Sequence, residues 1–321
     1  MITHLYIGVD VSKNWIDVCM SPDSDKAVVR YTNDAKGHAL LIECASLLAD
    51  KVHVCMEHTG GYNLPLATAC FNAGMAVSVI DGSKLVHFRK SLGRAKAKTD
   101  QADAVLLQRY ARAQKPSLWY PLPDEYRTLR ELVRHRETLV DMLTAWGSRT
   151  KQAVESEFVM AQRKANCEIF RLQLKELGKE IAGHIKRHPG LQKSLALLET
   201  IPGIGNVSAF RILAEAGPIA NYKSVKEFAM AAGLSPISVG SGQKAPKGKL
   251  PVYGNGDLRT AFFFPVVASK SHKIGVWHFM QRIEKNGAKA KLTVITAGMR
   301  KLAHIVWGVL TTQTKYDRTK M

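Results

Sequence analysis

Acidic residues are scarce in this chain. Its 321 residues carry 27 Asp+Glu against 46 Lys+Arg, a formal charge of +19. An excess of that size points to a polyanionic partner, of which nucleic acid is the commonest. The deficit is uneven, because residues 222–321 hold 17 Lys+Arg and only 4 Asp+Glu, a net +13. Paired cysteines are also missing. The five cysteines (Cys19, Cys44, Cys55, Cys70 and Cys167) form no CxxC spacing, so no zinc site is expected and a reduced compartment is. No apolar run approaches the about 18 residues of a membrane span. The opening MITHLYIGVD lacks a basic-then-apolar leader, and the expectation is a cytosolic protein. What is present is enough apolar residue, 46%, for folded domains with real cores.

Three segments follow from the patterning. In the first, LYIGVDV, WIDVCM and AVVRYT read as a meander of short strands. A helix (GHALLIECASLLAD), a strand (VHVCMEH), a helix (YNLPLATACFNAG), a strand (AVSVID) and a helix from about Asp100 to Gln114 come next. This order predicts a mixed α/β sheet of the ribonuclease-H-like kind over residues 1–120. Pro116, Pro121 and Pro123 break the pattern. Residues 121–195 then show apolar residues at three-to-four spacing, first from Leu129 to Trp146 and again from Phe170 to Ile185. They predict two long helices, either an antiparallel hairpin or an intermolecular coiled coil. The third segment, 196–321, opens with ETIPGIGNVSAFRILAEAG, the pattern of a helix-hairpin-helix. Gly203 and Gly205 of its turn would let backbone N–H groups approach a phosphate; an ordinary helix–helix turn reads the same way. A Gly-, Pro- and Lys-rich loop and a mainly helical remainder complete the segment.

Four of the few acids stand in suggestive places. Asp10 lies inside the first strand signal, Glu57 ends the fourth, and Asp100 and Asp103 share one face of the helix after the fifth. In a ribonuclease-H-like sheet the first and fourth strands are neighbours and that helix crosses them. Four converging carboxylates repel unless a divalent cation neutralises them. All-oxygen ligands suit Mg²⁺ or Mn²⁺, which can activate a nucleophile and stabilise a leaving oxygen on phosphate. Singly, each acid reads as readily as a turn or cap residue. Asp17, on the second strand signal, reads as solvent-facing.

With those residues in place, the chain resembles the DEDD transposases of the IS-one-ten insertion-sequence family, which includes the Piv DNA invertases and bridge-RNA-guided recombinases. GVDVSK, MEHTGGY, KTDQADA, IPGIG, AAGLSP, the Ser-Gly loop, GDLR and KLTVITAGMRKLAHIVWGVL occur in the family's order and span nearly the whole chain. The resemblance implies a RuvC-like first domain with its acids on Asp10, Glu57, Asp100 and Asp103. It implies a C-terminal transposase domain whose nucleophilic serine matches Ser241, in Gly240-Ser241-Gly242. Ser235 and Ser238 compete by position, and the residues alone read as a flexible Gly-Ser loop. A phosphoserine linkage would conserve bond energy for rejoining. The resemblance further implies a noncoding bridge RNA pairing with donor and target DNA, and homodimers that assemble into a tetramer. Basic residues expected at DNA are Lys96, Lys98, Lys244, Lys247, Lys249, Arg259, Lys289, Lys291, Arg300 and Lys301, although each could be a solvated surface charge.

Rival readings share the first domain. A RuvC-like nuclease or Holliday-junction resolvase would use the acids alone and leave the basic C-terminal segment without a task. An actin-like ATPase or sugar kinase would explain YIGVDVSK, but it needs a second phosphate loop that the sequence does not supply. A nucleic-acid-binding scaffold with a dead site would not need all four acids.

Overall fold

The structure, a computed structural model, describes residues 4–21, 28–93, 100–152, 156–239, 247–251, 254–287 and 290–320. The chain divides into two compact units, Met1–Pro121 and Leu122–Met321. Among the described residues no helix is long and apolar enough to cross a membrane.

The first unit holds β1 (Leu5–Val11), β2 (Trp15–Cys19), β3 (Val28–Thr32), α1 (Ala35–Leu48), β4 (Val52–Glu57), α2 (Leu64–Asn72), β5 (Ala76–Ile80), α3 (Gly82–Ser91) and α4 (Asp100–Gln114). The sheet order is β3-β2-β1-β4-β5. The first three strands pair antiparallel, while β4 joins β1 and β5 joins β4 in parallel. Both faces are covered, so β1 is buried along most of its length instead of alternating. Ile7, Val9, Ile16, Val18, Val54 and Met56 pack on Leu41 and Ala45 of α1 and Leu66 and Ala67 of α2. The opposite face receives α3 and α4, with Cys55, Ile80, Leu85, Leu106, Leu107 and Ala111 in one cluster.

One glycine sets how closely α4 approaches. A Cβ on Gly8 would overlap the carbonyl oxygen of Ala104 and the amide nitrogen of Gln108, so backbone meets backbone there. Tyr6, two residues earlier, packs against the cluster that includes Leu106, Leu107 and Ala111. The helix therefore runs from the Asp10 end of β1 toward Tyr6, and its first turn lies at the Asp10 end.

The second unit holds α5 (Asp124–Thr150), α6 (Glu157–Arg187), α7 (Pro189–Glu199), α8 (Asn206–Ala216), α9 (Val225–Ala231), β6 (Ile237–Val239), β7 (Lys247–Lys249), α10 (Gly256–His272), α11 (Trp277–Lys285) and α12 (Lys291–Thr312). The two long helices form an antiparallel hairpin. His184 near the end of α6 meets the Glu125 carbonyl at 2.8 Å, and Arg163 near its start donates to the Arg149 carbonyl at 2.7 Å. Leu129, Val133, Ile181 and Ile185 at the hairpin's base join the same core as Phe210, Phe228, Phe262 and Leu302. Farther out, Met142, Phe158, Ile169 and Leu172 are exposed.

Glu215, buried at the end of α8, ties the base together. Arg134 of α5 donates to both its oxygens, at 2.8 and 2.9 Å, and Asn255 adds a third bond at 3.0 Å. Arg130 donates to the Ala214 carbonyl at 2.8 Å. Burial pushes the Glu215 carboxyl up, but bonds from Arg134 and Asn255 and the charges of Arg134 and Arg130 outweigh it and hold it below the usual range.

Two outcomes are expected. Gly8→Ala forces α4 off β1 and costs about 1–3 kcal/mol or more by overpacking, read as a lowered urea midpoint of the first unit. Glu215→Gln costs about 2 kcal/mol at neutral pH by leaving the two arginines without their buried partner. Because the folded pKa of Glu215 is depressed, its stabilisation is fully present above the unfolded value. The difference between wild type and variant shrinks as pH falls below about 4.5, which paired denaturations at pH 7 and at pH values below 4.5 would show.

Candidate active site

The parallel register of β1 and β4 pairs Gly8 with Cys55 and Val9 with Met56, which sets Asp10 and Glu57 side by side at the carboxyl ends of adjacent strands. Side chains alternate along a strand, so Asp10 shares the face of Gly8 and Glu57 that of Cys55. That is the face covered by α4. Asp103, on the first turn of α4, is buried beside Ala104, which lies over Gly8. Asp10, Glu57 and Asp103 thus belong to one face and one end of the sheet. Asp100 begins α4, and its side chain lies outside the described residues.

Two of these acids have surroundings that moderate their charge. Asp103 is ion-paired with Arg89 of α3. The Glu57 carboxylate rests against Gly82, the first residue of α3, where any side chain would collide with it. A helix N-terminus favours an adjacent negative charge. Asp81 caps the same helix, accepting from the Ser83 N–H at 2.7 Å.

Asp17 departs from the solvent-facing expectation. It is 4% exposed and stands directly opposite Asp10 across the β1–β2 pair. Arg30, its register partner on β3, donates to both carboxylate oxygens, at 3.0 and 2.7 Å. Sequence reasoning missed it because Ile16 and Val18 claim one face as core, and the other reads as solvent until α4 is placed on it. The available signal was Cys19, which shares the face of Asp17 and is buried against Ala104 and Val105.

The donor chemistry on this face, carboxylate oxygens alone, fits a hard divalent cation. Among the described residues, however, no group of three or more His, Cys, Asp or Glu is gathered closely enough to hold a metal ion. Two of the acids on this face, Asp17 and Asp103, are engaged by arginines.

Ser241, Lys244, Lys96, Lys98 and Lys289 lie outside the described residues. On either side of Ser241, β6 and β7 pair antiparallel, with Ser238 opposite Gly248. The root of this segment is closed by backbone contacts. Asn255 N–H donates to the Ala231 carbonyl at 2.7 Å, and Gly254 packs so tightly on Gly233 that a Cβ would lie 2.6 Å from its nitrogen. Arg259, expected at DNA, donates to the carbonyls of Ala232 at 3.2 Å and Pro251 at 3.4 Å, one at each end of the segment.

The remaining expected contacts divide. Gly203 faces inward, and the close approach it permits is to Ser269 and Pro265 of α10. Gly205 is exposed at the start of α8 with open space where a side chain would be. Arg300 and Lys301 are half-buried on α12, one turn before His304. Burial, then the charges of Arg300 and Lys301, push His304 below the usual histidine range. Lys291 is exposed at the start of the same helix, and the β7 lysines Lys247 and Lys249 are described in backbone only.

Comparison with known proteins covers both units. A family model described as a transposase, DEDD_Tnp_IS110, matches residues 7–159. A second, described as transposase IS116/IS110/IS902 family, matches residues 195–288. The pilin gene-inverting proteins of Moraxella lacunata and Moraxella bovis are each 31% identical over 318 residues, 98% of either chain. Two matched segments in family order, and relatives aligned from end to end, show that the chain belongs to the IS110 family of transposases, enzymes of DNA recombination.

Proposed function

We propose that this protein cuts and rejoins DNA strands, using the acids at the end of the first sheet and a nucleophile on Ser241. The observation that carries the reading is the placement of Asp10, Glu57 and Asp103 on one sheet face beneath α4. Full-length similarity to a pair of proteins named for inverting a pilin gene supports strand exchange over simple cleavage.

In this reading the Ser241 hydroxyl attacks a backbone phosphorus. The bond from phosphorus to one ester oxygen breaks, a deoxyribose hydroxyl leaves, and a phosphoserine remains. A hydroxyl from the other strand later attacks that phosphorus and returns the serine. One ester replaces another at each step, so rejoining needs no external energy source. Mg²⁺ or Mn²⁺, held by Asp10, Glu57, Asp100 and Asp103, would supply charge neutralisation at the phosphate. Lys96, Lys98, Lys244, Arg300 and Lys301 would contact the backbone, while Arg259 holds the root of the serine segment.

A bridge RNA encoded beside the gene would select donor and target by base pairing, leaving the protein to read backbone shape. The exposed apolar residues on the outer half of the α5–α6 hairpin support assembly into dimers and then a tetramer. The reaction would take place in the bacterial cytoplasm, on the nucleoid.

The gene with its native flanking DNA, placed on a plasmid, tests this by quantifying recombinant junctions. Ser241→Ala and Asp100→Ala are each expected to lower junctions by about a thousandfold or more while leaving soluble, folded protein. Junctions that survive Ser241→Ala would leave a carboxylate-metal nuclease. Junctions unchanged by deleting the flank, with both DNA ends kept, would remove the RNA.

A further inference from the structure

Arg89 holds one oxygen of Asp103, so a cation on the other oxygen would lie beside a guanidinium. The pair is partly buried, with the Asp103 side chain 11% exposed and the Arg89 side chain 28% exposed. A divalent ion entering beside Asp103 would meet a guanidinium already there, and the two positive charges would repel. Cation binding is therefore favoured when Arg89 leaves, and a partly buried arginine leaves readily only for another anion.

The neighbourhood says which anion. Arg89 lies in the last turn of α3, a helix that exposes Lys84, His87 and Lys90. Arg94, Lys96 and Lys98 follow in the sequence before α4 begins. Arg89 thus stands where a basic helix borders the acidic end of the sheet. A phosphodiester following that basic helix would come within reach of Arg89, and guanidinium–phosphate pairing has the geometry to replace guanidinium–carboxylate pairing. The contrast with Asp17 is informative. Arg30 grips both oxygens of a carboxylate buried to 6% exposure, whereas Arg89 engages Asp103 through Nη2 on Oδ1. The first arrangement is a fixed strut and the second is suited to exchange.

We propose that Arg89 is a DNA-backbone-binding residue whose transfer from Asp103 to a phosphate opens the acidic site to its cation, so that DNA binding and cation binding reinforce each other. This rests on the reading of Asp103 as a metal ligand. A site that fills only on DNA would spare the cell an enzyme loaded for hydrolysis at all times.

The test measures Mn²⁺ binding to the full-length protein by calorimetry, with and without a duplex carrying the gene's native flank. In wild type the duplex is expected to tighten Mn²⁺ binding by about tenfold, and Mn²⁺ to tighten duplex binding by the same factor, as linkage demands. Arg89→Met is expected to bind Mn²⁺ about tenfold more tightly than wild type without DNA, and to lose most of the coupling. Arg89→Lys, which keeps the charge but not the fork, is expected to retain part of it.

Arg89→Met that binds Mn²⁺ no tighter than wild type, or keeps the full coupling, would overturn the proposal. Should Arg89→Met fail to fold, Arg89→Lys with wild-type coupling would overturn it equally. Asp103→Asn separates the two layers. If it loses Mn²⁺ binding while the Arg89 variants behave as wild type, only the exchange fails. If Asp103→Asn binds Mn²⁺ as wild type does, the assignment of Asp103 as a ligand fails and takes the exchange with it.

Discussion

The approach of α4 onto β1 at Gly8 is the constraint on which the acidic end of the first unit depends. Backbone meets backbone there, because the carbonyl of Ala104 and the amide of Gln108 occupy the space a side chain would need. That closeness places the acidic first turn of α4 over the end of a sheet that already carries Asp10, Asp17 and Glu57 on the same face. Like charges brought so near would oppose folding. The structure answers with Arg30 on Asp17, Arg89 on Asp103 and the α3 N-terminus beneath Glu57. Four of the chain's 27 acids, Asp10, Asp17, Glu57 and Asp103, thus share this end of the sheet. That concentration is a stronger functional signal than any one of them, because a merely structural sheet end has no reason to bear the repulsion.

The second unit solves a different problem, holding a short glycine-rich segment on a helical scaffold. Glu215 joins the α5 arm, the end of α8 and the N-cap of α10 through one buried carboxylate. From Asn255 the connection continues to Ala231, and Arg259 spans Ala232 and Pro251. The two ends of the segment containing Ser241 are therefore fixed to each other and to the base of the long hairpin. In the proposed reaction, a fixed root would limit the loss of effective concentration that a tethered nucleophile suffers.

Much of this was legible in the sequence, and the reasons for the exceptions are physical. The strand order followed from β-rich runs and their connections, and Asp10 and Glu57 stood out because an ionised residue ending an apolar run needs a reason. The break at Pro116, Pro121 and Pro123 fell just ahead of α5, which starts at Asp124, since proline fits the start of a helix and interrupts one elsewhere. Asp17 was misread because alternation identifies one buried face and cannot report that a distant helix covers the other. At Gly203 the missing side chain also makes room for α10 of its own chain. A glycine signals close approach without naming what approaches. Arg89 carried no sequence signal at all, because its partner is Asp103, 14 residues away across a helix–helix contact.

The arginines on this face do unequal work, and geometry decides which. Arg30 sits on an edge strand in register with Asp17, so the ladder itself holds donor and acceptor together. Such a pair contributes rigidity to the edge of the sheet. Arg89 is held by no ladder. Its helix meets α4 through side chains such as Leu85 and Leu106, and its long stem can swing without disturbing them. An acid that must later change partners is better held by a residue of the second kind. The sheet therefore assigns permanence to the carboxylate closest to its hydrogen-bonded frame, and exchange to the one supplied by the helix.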